Sequence, residues 1–251
     1  MLTPSRIIKR EYKRYGFASF FMYGHQGSGK TTYALKILKE VYGGWENVLR
    51  YTYFHIDQLI DDLEIAFDNY RRIPAVLVDD AGLAILKYYW QKEGEQWFSR
   101  FFNLIRSASS SVIFTSVETD DIVKFIRTKI KYVCMLVRHG DDWSEARGYE
   151  RVLLPNGKRI ERLKFIDSFK LRLPDDIRSH YEELRRDAIK RLFAERRKLK
   201  NAKYANLIEH ARKLREEGLS WREVAKQIYL EFGIKKSKDW FRRRLAHTVS
   251  T

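Results

Sequence analysis

The chain has 251 residues, which is enough for one large domain or for a domain with a small appendage. Hydrophobic residues make up 44% and charged residues 33%, with only 4 Pro, and this balance excludes a largely disordered chain. A single cysteine, Cys134, excludes an internal disulfide and a cysteine-based metal cluster. No run approaches the roughly 18 apolar residues of a membrane span, so we expect a cytoplasmic protein without a membrane partner.

The formal net charge of +16 is distributed unevenly along the chain. Residues 178–251 contain 21 Lys and Arg against 10 Asp and Glu, so this last part carries +11 of the total. A basic balance of this kind favours a polyanionic partner, because binding releases the counterions of the polyanion. Since nothing else in the sequence indicates a lipid anchor, we expect the C-terminal part to bind nucleic acid.

The predicted elements alternate in type through the first half of the chain. Residues 1–16 are basic and are predicted to be irregular. The predicted strands are residues 17–23, 48–56, 75–78, 111–116 and 131–137. The predicted helices are residues 30–41, 57–70, 95–106 and 119–130. Strands that alternate with helices are typical of an α/β fold with a mainly parallel sheet covered on both faces.

The pattern changes after residue 137. Strands are predicted at residues 149–154 and 158–165, joined by Pro155-Asn156-Gly157, and Asn-Gly between two strands is a strong hairpin signal. A charged helix without Gly or Pro follows over residues 175–200 and is interpreted as a connector.

Three short helices are predicted after the connector, in a small all-α unit. They cover residues 205–217, 220–230 and 237–247, and the second begins with a capping box formed by Ser220 and Glu223. The predicted organisation is a domain over residues 1–184, a helical connector over 185–204 and the small unit over 205–251.

The strongest motif lies where the first predicted strand ends. Residues 24–31 read GHQGSGKT and fit the phosphate-binding pattern G-x-x-x-x-G-K-[ST] in full. In this pattern backbone N–H groups surround the phosphates, the lysine neutralises their charge, and the threonine hydroxyl ligates Mg²⁺. We therefore predict a P-loop nucleoside triphosphatase that binds ATP and Mg²⁺. The predicted nucleotide-binding residues are Gly24, Gln26, Gly27, Ser28, Gly29, Lys30, Thr31 and Thr32.

Two carboxylates, Asp79 and Asp80, follow the apolar run of the third predicted strand. We predict that Asp79 holds through water the Mg²⁺ that Thr31 ligates, and that Asp80 positions or deprotonates the attacking water. Lys30 and Asp80 are thus both expected to be catalytic. The alternative interpretation is a strand that ends in a solvated acidic turn.

Further catalytic candidates lie outside these two motifs. The strand at 111–116 ends in Thr115 and Ser116, and its carboxyl end is expected beside the phosphates. Either hydroxyl is suited to sense the γ-phosphate, and Ser116 is the residue we predict. Arg127 and Arg106 are candidates for an arginine that completes the site of a neighbouring subunit, with Arg127 preferred. A solvated helix face is the alternative for both arginines.

The last predicted helix and the turn before it are strongly basic. Three short helices with a basic final one are typical of a helix-turn-helix unit, whose last helix enters the major groove of double-stranded DNA. An oligomerisation bundle with a solvated basic face is the alternative. The predicted DNA-binding residues are Lys235, Lys236, Lys238, Arg242, Arg243 and Arg244.

The P-loop, the Asp79-Asp80 pair followed by Gly82, and the Thr115-Ser116 strand end together resemble the AAA+ clade of the initiator DnaA, helicase loaders and transposition helpers. The resemblance covers roughly residues 17–137. It implies a homo-oligomer, because the segment containing Arg127 is similar to the place where the initiator keeps its arginine finger. The length and basic, aromatic-rich composition also resemble DnaA-like ATPases of archaeal spindle-shaped viruses and plasmids, which implies the cytoplasm of a host cell.

Three functions fit these observations. The first is an ATP-dependent DNA-binding protein that acts in replication initiation or helicase loading for a mobile element, with a replicative helicase or another replication protein as partner. The second is a DNA translocase for packaging or conjugation, since RecA-like and packaging ATPases commonly add antiparallel strands after the core. The third is a transcription regulator that uses ATP only as a switch.

Overall fold

The computed structural model of this chain describes residues 1–80, 102–118 and 128–248. Its packing divides the chain into two compact units, Met1–Arg185 and Arg186–Thr251. None of the described helices is both long and apolar enough to cross a membrane. The predicted helices at 95–106 and 119–130 lie largely outside the described residues, although residues 102–108 are helical.

The first unit contains a mixed sheet of seven described strands. The strands are β1 (Ala18–Tyr23), β2 (Thr52–Tyr53), β3 (Val76–Val78), β4 (Ser111–Thr115), β5 (Tyr132–His139), β6 (Trp143–Leu153) and β7 (Arg159–Lys170). Their order in the sheet is β2-β3-β4-β1-β5-β6-β7. The first five are parallel, and β6 and β7 extend the sheet antiparallel to β5. The predicted mainly parallel sheet with an added hairpin is confirmed.

Besides the helical residues 102–108 and 128–129, the described part of the chain contains six helices. They are α1 (Thr3–Lys13), α2 (Lys30–Tyr42), α3 (Ile56–Asp68), α4 (Asp175–Glu216), α5 (Trp221–Phe232) and α6 (Lys238–Thr248). The prediction of separate helices at 175–200 and 205–217 is wrong, because α4 runs through without a break. The sequence between them holds no Gly or Pro that would end a helix.

Helices cover both faces of the sheet. Successive side chains on a strand point to opposite faces, so a single strand can pack against helices on both sides. On β1, Phe20 and Met22 pack in one buried cluster with Leu35 of α2, whereas Phe21 packs in a second cluster with Leu59 of α3. The doubly covered sheet that the sequence predicts is therefore present.

The lone thiol belongs to the first of these clusters. Cys134 of β5 is fully buried, and burial raises its pKa above the usual value. A buried, protonated thiol is a structural residue, as the apolar sequence around it indicates.

The second predicted strand and the N-terminal segment both differ from expectation. Only Thr52 and Tyr53 form a strand, because turns occupy the residues before them and Thr52 Oγ1 donates to the Val48 carbonyl at 2.9 Å. Residues 1–16, predicted to be irregular, contain α1. Thr3, the first residue of α1, donates to the Asp167 carboxylate of β7 twice: from its backbone N–H at 2.7 Å and from Oγ1 at 2.8 Å. A carboxylate distant in sequence therefore fixes the start of this helix.

The hairpin of β6 and β7 is longer than the sequence indicates. Its turn contains Asn156 and Gly157 as predicted, and the Gly157 backbone has a positive φ of 78°. The strand register shifts between Gly148 and Tyr149. There the ring of Phe165 lies directly over Gly148, in the space that a Cβ would occupy. The hairpin is therefore bent at a position where only glycine fits.

The second unit is a small helical domain. The end of α4 packs with α5 and α6 around Leu207, Val224, Ile228 and Phe241. The predicted capping box is present, since Ser220 Oγ accepts from the backbone of Glu223 and the Glu223 carboxylate accepts from the backbone of Ser220.

Candidate nucleotide-binding site

The phosphate-binding pattern forms a loop between β1 and α2. Gly24, Gly27 and Gly29 all have positive φ, at 146°, 76° and 86°. Gly29 occupies the N-cap of α2, and a Cβ there would overlap Leu171 beyond the end of β7. The loop thus leads directly into the N-terminus of α2, where free backbone N–H groups favour the binding of an anion.

Lys30 is the first residue of α2 and is buried. Its Nζ donates to the carbonyls of Gly24 at 2.8 Å and His25 at 2.9 Å, so the side chain folds along its own loop. Burial lowers the pKa of the Lys30 ammonium, and the nearby Asp80 and Asp79 carboxylates offset part of that effect. The lysine therefore lies where it can bind the phosphates that the loop surrounds.

Asp79 follows β3 and is the centre of a buried hydrogen-bond cluster, with 1% of its surface exposed. Thr31 Oγ1 donates to its carboxylate at 3.0 Å. The hydroxyls of Thr115 and Tyr181 also donate to it, one to each oxygen. Burial raises the pKa of Asp79, although the three hydroxyl donors act in the opposite direction.

Asp80 adopts a different environment from its neighbour. Its backbone lies in the left-handed region with φ of 47°, and its N–H donates to Thr115 Oγ1 at 3.0 Å. Its carboxylate is one third exposed and pairs with Arg185 at 3.3 Å. Thr115 therefore holds both aspartates, donating to Asp79 and accepting from Asp80.

These residues meet in one open cleft of about 1040 Å³. Among the residues predicted from sequence, those that line it are Gln26, Gly27, Gly29, Lys30, Thr31, Thr32 and Asp80. Ser28 is buried within the loop, and among the described residues its hydroxyl has no hydrogen-bond partner. Nucleotide-binding and acidic motifs that lie about fifty residues apart in sequence are thus brought together.

The oxygen atoms at the base of the cleft fit Mg²⁺. The Thr31 hydroxyl and the Asp79 carboxylate lie 3.0 Å apart, close enough to share one small cation. Mg²⁺ prefers oxygen ligands and is usually held by one or two protein groups together with phosphate oxygens and water. These two residues are therefore the ones that would hold the ion.

For two of the predicted catalytic residues, Ser116 and Arg127, the described contacts do not test the predicted role. Ser116 is buried and its backbone N–H donates to the Met22 carbonyl at 3.0 Å, whereas the neighbouring Thr115 makes the contacts with the aspartates. The role of Ser116 stays a prediction. Arg127 lies outside the described residues, so its role in a neighbouring site also stays a prediction.

Several residues of the cleft are not predicted from the sequence, among them Tyr181 and Arg185 of α4, and Arg138 near the end of β5. The charged helix that contains the first two is interpreted from the sequence as a connector. A signal was available, because Ile177, Tyr181 and Leu184 are spaced as one helix face: the first two are buried in the first cluster, and Leu184 packs against it.

The six predicted DNA-binding residues differ in their exposure. Lys236 is partly buried, and its Nζ lies 5.3 Å from the Tyr204 ring centre and 5.4 Å from that of Trp240. Such cation–π contacts stabilise the fold locally. The exposed members of the predicted set are Lys235, Lys238, Arg242, Arg243 and Arg244.

Comparison with known proteins identifies relatives in viruses, although no family model matches the chain. Protein B-251 of Sulfolobus spindle-shape virus 1 is 34% identical over 195 residues, which cover 71% of this chain and 78% of that protein. ORF286 of Acidianus two-tailed virus is 31% identical over 178 residues, which cover 69% of this chain and 60% of that protein.

Solved structures give weaker similarities. The N-terminal domain of zonular occludens toxin from Neisseria meningitidis has a TM-score of 0.32 and 12% identity, over 61% of this chain and 95% of that one. The DnaC helicase loader has a TM-score of 0.30 and 19% identity, over 50% of this chain and 72% of that one. TM-scores of this size are too low to establish a common fold.

Proposed function

We propose that this chain, which belongs to the family of protein B-251 of Sulfolobus spindle-shape virus 1, is a Mg²⁺-dependent ATPase. The observation that most supports this function is the hydrogen bond from Thr31 at the start of α2 to the buried Asp79 after β3, in the cleft that also holds Lys30. A helix N-terminus, a lysine and two oxygen ligands are recurring parts of sites that bind a nucleoside triphosphate with its metal.

Each residue has a role that follows from its position. Bound Mg²⁺ would neutralise charge on the phosphates, held by Thr31 and Asp79. When nucleotide binds, Lys30 Nζ donates to phosphate oxygens in place of the two loop carbonyls. Asp80, whose carboxylate reaches the cleft, positions the attacking water and accepts its proton. In a homo-oligomer, Arg127 completes the site of the neighbouring subunit.

The biological step that we propose is replication initiation or helicase loading on viral double-stranded DNA in the host cytoplasm. The exposed cations around α6 support DNA binding, because five of them lie on a short helix or the turn before it. A replicative helicase or another replication protein would be the further partner.

A DNA translocase is the second candidate. It is favoured by the antiparallel β6 and β7, which extend the parallel sheet beside β5, because packaging ATPases commonly add antiparallel strands after the core. Directional displacement of an obstacle bound to DNA would distinguish a translocase from an initiator.

The test is ATP hydrolysis by the purified full-length chain with and without duplex DNA. We expect DNA-stimulated turnover that is lost in Lys30→Ala and Asp80→Asn. The stimulation alone should be lost when Arg242, Arg243 and Arg244 are all replaced by Ala.

Three outcomes would contradict parts of the proposal. Turnover by Lys30→Ala equal to that of the wild type would refute the ATPase site. Turnover that is indifferent to DNA and to the triple substitution would make the C-terminal unit a protein-interaction module. Tight ATP binding without turnover under any condition would instead indicate a regulator that ATP switches.

A further inference from the structure

Arg138 is the penultimate residue of β5 and is fixed by the tight turn that follows the strand. Its Nε donates to the Gly140 carbonyl at 2.8 Å. Its Nη2 lies 3.3 Å from the carbonyl of Asp141 and 3.3 Å from the Asp141 carboxylate. A guanidinium held by several bonds to one short turn loses little further entropy when it binds a ligand.

The remaining nitrogen of this guanidinium faces the phosphate-binding loop. A methyl group on Gly27 would lie 3.6 Å from Arg138 Nη1, and Arg138 lines the same cleft as Gln26, Gly27 and Lys30. Within the described part of the chain, Nη1 has no hydrogen-bond partner. Two N–H donors are thus available beside the loop at a distance that a phosphate oxygen would bridge.

The sheet order places Arg138 on the opposite flank of the loop from the acidic residues. The loop follows β1, with β4 and then β3 on one side and β5 on the other. Asp79 and Asp80 therefore approach the loop from the β3 side. Arg138 approaches from the β5 side, so its charge would act on a polyphosphate from the flank opposite the aspartates.

We propose that Arg138 is a nucleotide-binding residue that donates through Nη1 to the polyphosphate of a nucleotide lying over Gly27. The inference rests on the proposed ATP site and adds to it a cation from the same chain. The carboxylate of Asp141 does not cancel this charge, because its side chain is fully exposed and water screens it. The ligand chemistry recognised is a di- or triphosphate.

Binding measurements on the full chain test the role of Arg138. The dissociation constants for ATP, ADP and inorganic pyrophosphate would be measured by calorimetry for wild type, Arg138→Gln and Arg138→Lys. Arg71→Gln is the matched control, because Arg71 is exposed, lies outside the cleft and carries the same charge.

We expect Arg138→Gln to weaken all three ligands roughly tenfold, since a charge-assisted hydrogen bond to a partly exposed group is lost. Arg138→Lys should lie between this variant and the wild type, because it keeps the charge but not the fork that the turn holds. Arg71→Gln should bind as the wild type does.

Affinities of Arg138→Gln within twofold of the wild type would overturn the inference and leave Arg138 as a residue that only fastens its turn. Such a structural role predicts a lower Tm without ligand and no loss of pyrophosphate affinity once the protein is folded. Lys30→Ala separates this failure from failure of the proposed function: if it too binds ATP like the wild type, the loop is not a nucleotide site at all.

Discussion

Removing the Tyr181 hydroxyl tests whether the first turns of α4 are held by the acidic centre. Tyr181→Phe keeps the ring, which is largely buried, and deletes the donor to Asp79. Burial raises the pKa of the Tyr181 phenol, so at neutral pH this group is a protonated donor. The carboxylate retains Thr31 and Thr115 as donors but loses one of its three hydroxyl donors in an interior site.

The expected cost follows from the chemistry of that bond. A hydrogen bond to a charged group contributes about 1.5–3 kcal/mol when its partner stays buried, so we expect a loss near 2 kcal/mol in the free energy of unfolding. For a protein of this size such a loss lowers Tm by roughly 4 to 8 °C. Urea unfolding at pH 7 without nucleotide measures the free energy directly.

The matched control is Tyr70→Phe, because Tyr70 is fully exposed and makes the same chemical change at the surface. It should leave stability within about 0.5 kcal/mol of the wild type, as is usual for surface substitutions. If Tyr181→Phe is equally neutral, the hydroxyl does not stabilise Asp79, and the reasoning that joins α4 to the site is refuted.

Three further changes have distinct expected outcomes. Asp79→Asn should abolish Mg²⁺-dependent turnover. It should also remove a pH dependence of stability. Burial raises the pKa of Asp79, so between the ordinary carboxyl pKa and this raised value the native state binds more protons than the unfolded state. The free energy of unfolding of the wild type therefore falls as pH rises through that window. Urea titrations from about pH 4 upward would show a smaller fall in the variant. Gly29→Ala should cost roughly 2–4 kcal/mol, because left-handed strain is added to overlap with Leu171, whereas Gly43→Ala, with φ of 83° and nothing within 4 Å, should cost only about 1 kcal/mol. Ser220→Ala removes the α5 cap and should cost about 1 kcal/mol by the same assay, while ATP turnover without DNA stays unchanged.

The sequence predicts those parts of the site that are encoded within a few residues. The loop from Gly24 to Thr31 carries its own turn residues and its own helix start, so its shape depends little on distant contacts. Asp79 is predictable because a short apolar run followed by a carboxylate marks the carboxyl end of a buried strand. The hairpin at Asn156 and Gly157 is predictable for the same reason, since the turn type is a local property.

The remaining parts depend on which segments meet in space. Arg138 reaches the loop only because β5 pairs with β1, and strand order is not a local property of either sequence. Tyr181 donates to a residue 102 positions earlier, so no window of sequence contains both partners. The choice between Thr115 and Ser116 likewise depended on which face of β4 points toward Asp79, and the alternation of the strand decides this only once its neighbours are known.

The start of the chain illustrates the same limit in another way. Its basic residues obscure the helix α1, whose Ile7 and Ile8 are buried against the rest of the unit. The Asp167 carboxylate, which accepts hydrogen bonds from Thr3, also accepts one from the Tyr33 hydroxyl of α2 at 2.7 Å. Asp167 of β7 therefore binds both α1 and α2. No pattern within residues 1–16 indicates this contact.

The ring of Phe165 lying over Gly148 makes two positions in neighbouring strands interdependent. A side chain added at 148 has no space while the ring is present, and loss of the ring alone leaves a gap over a bare backbone. Evolutionary change at this bend therefore has to involve both positions. Among homologous viral proteins we expect a residue larger than glycine at the first position only where the second has become small, so that covariation of this pair would record the bend.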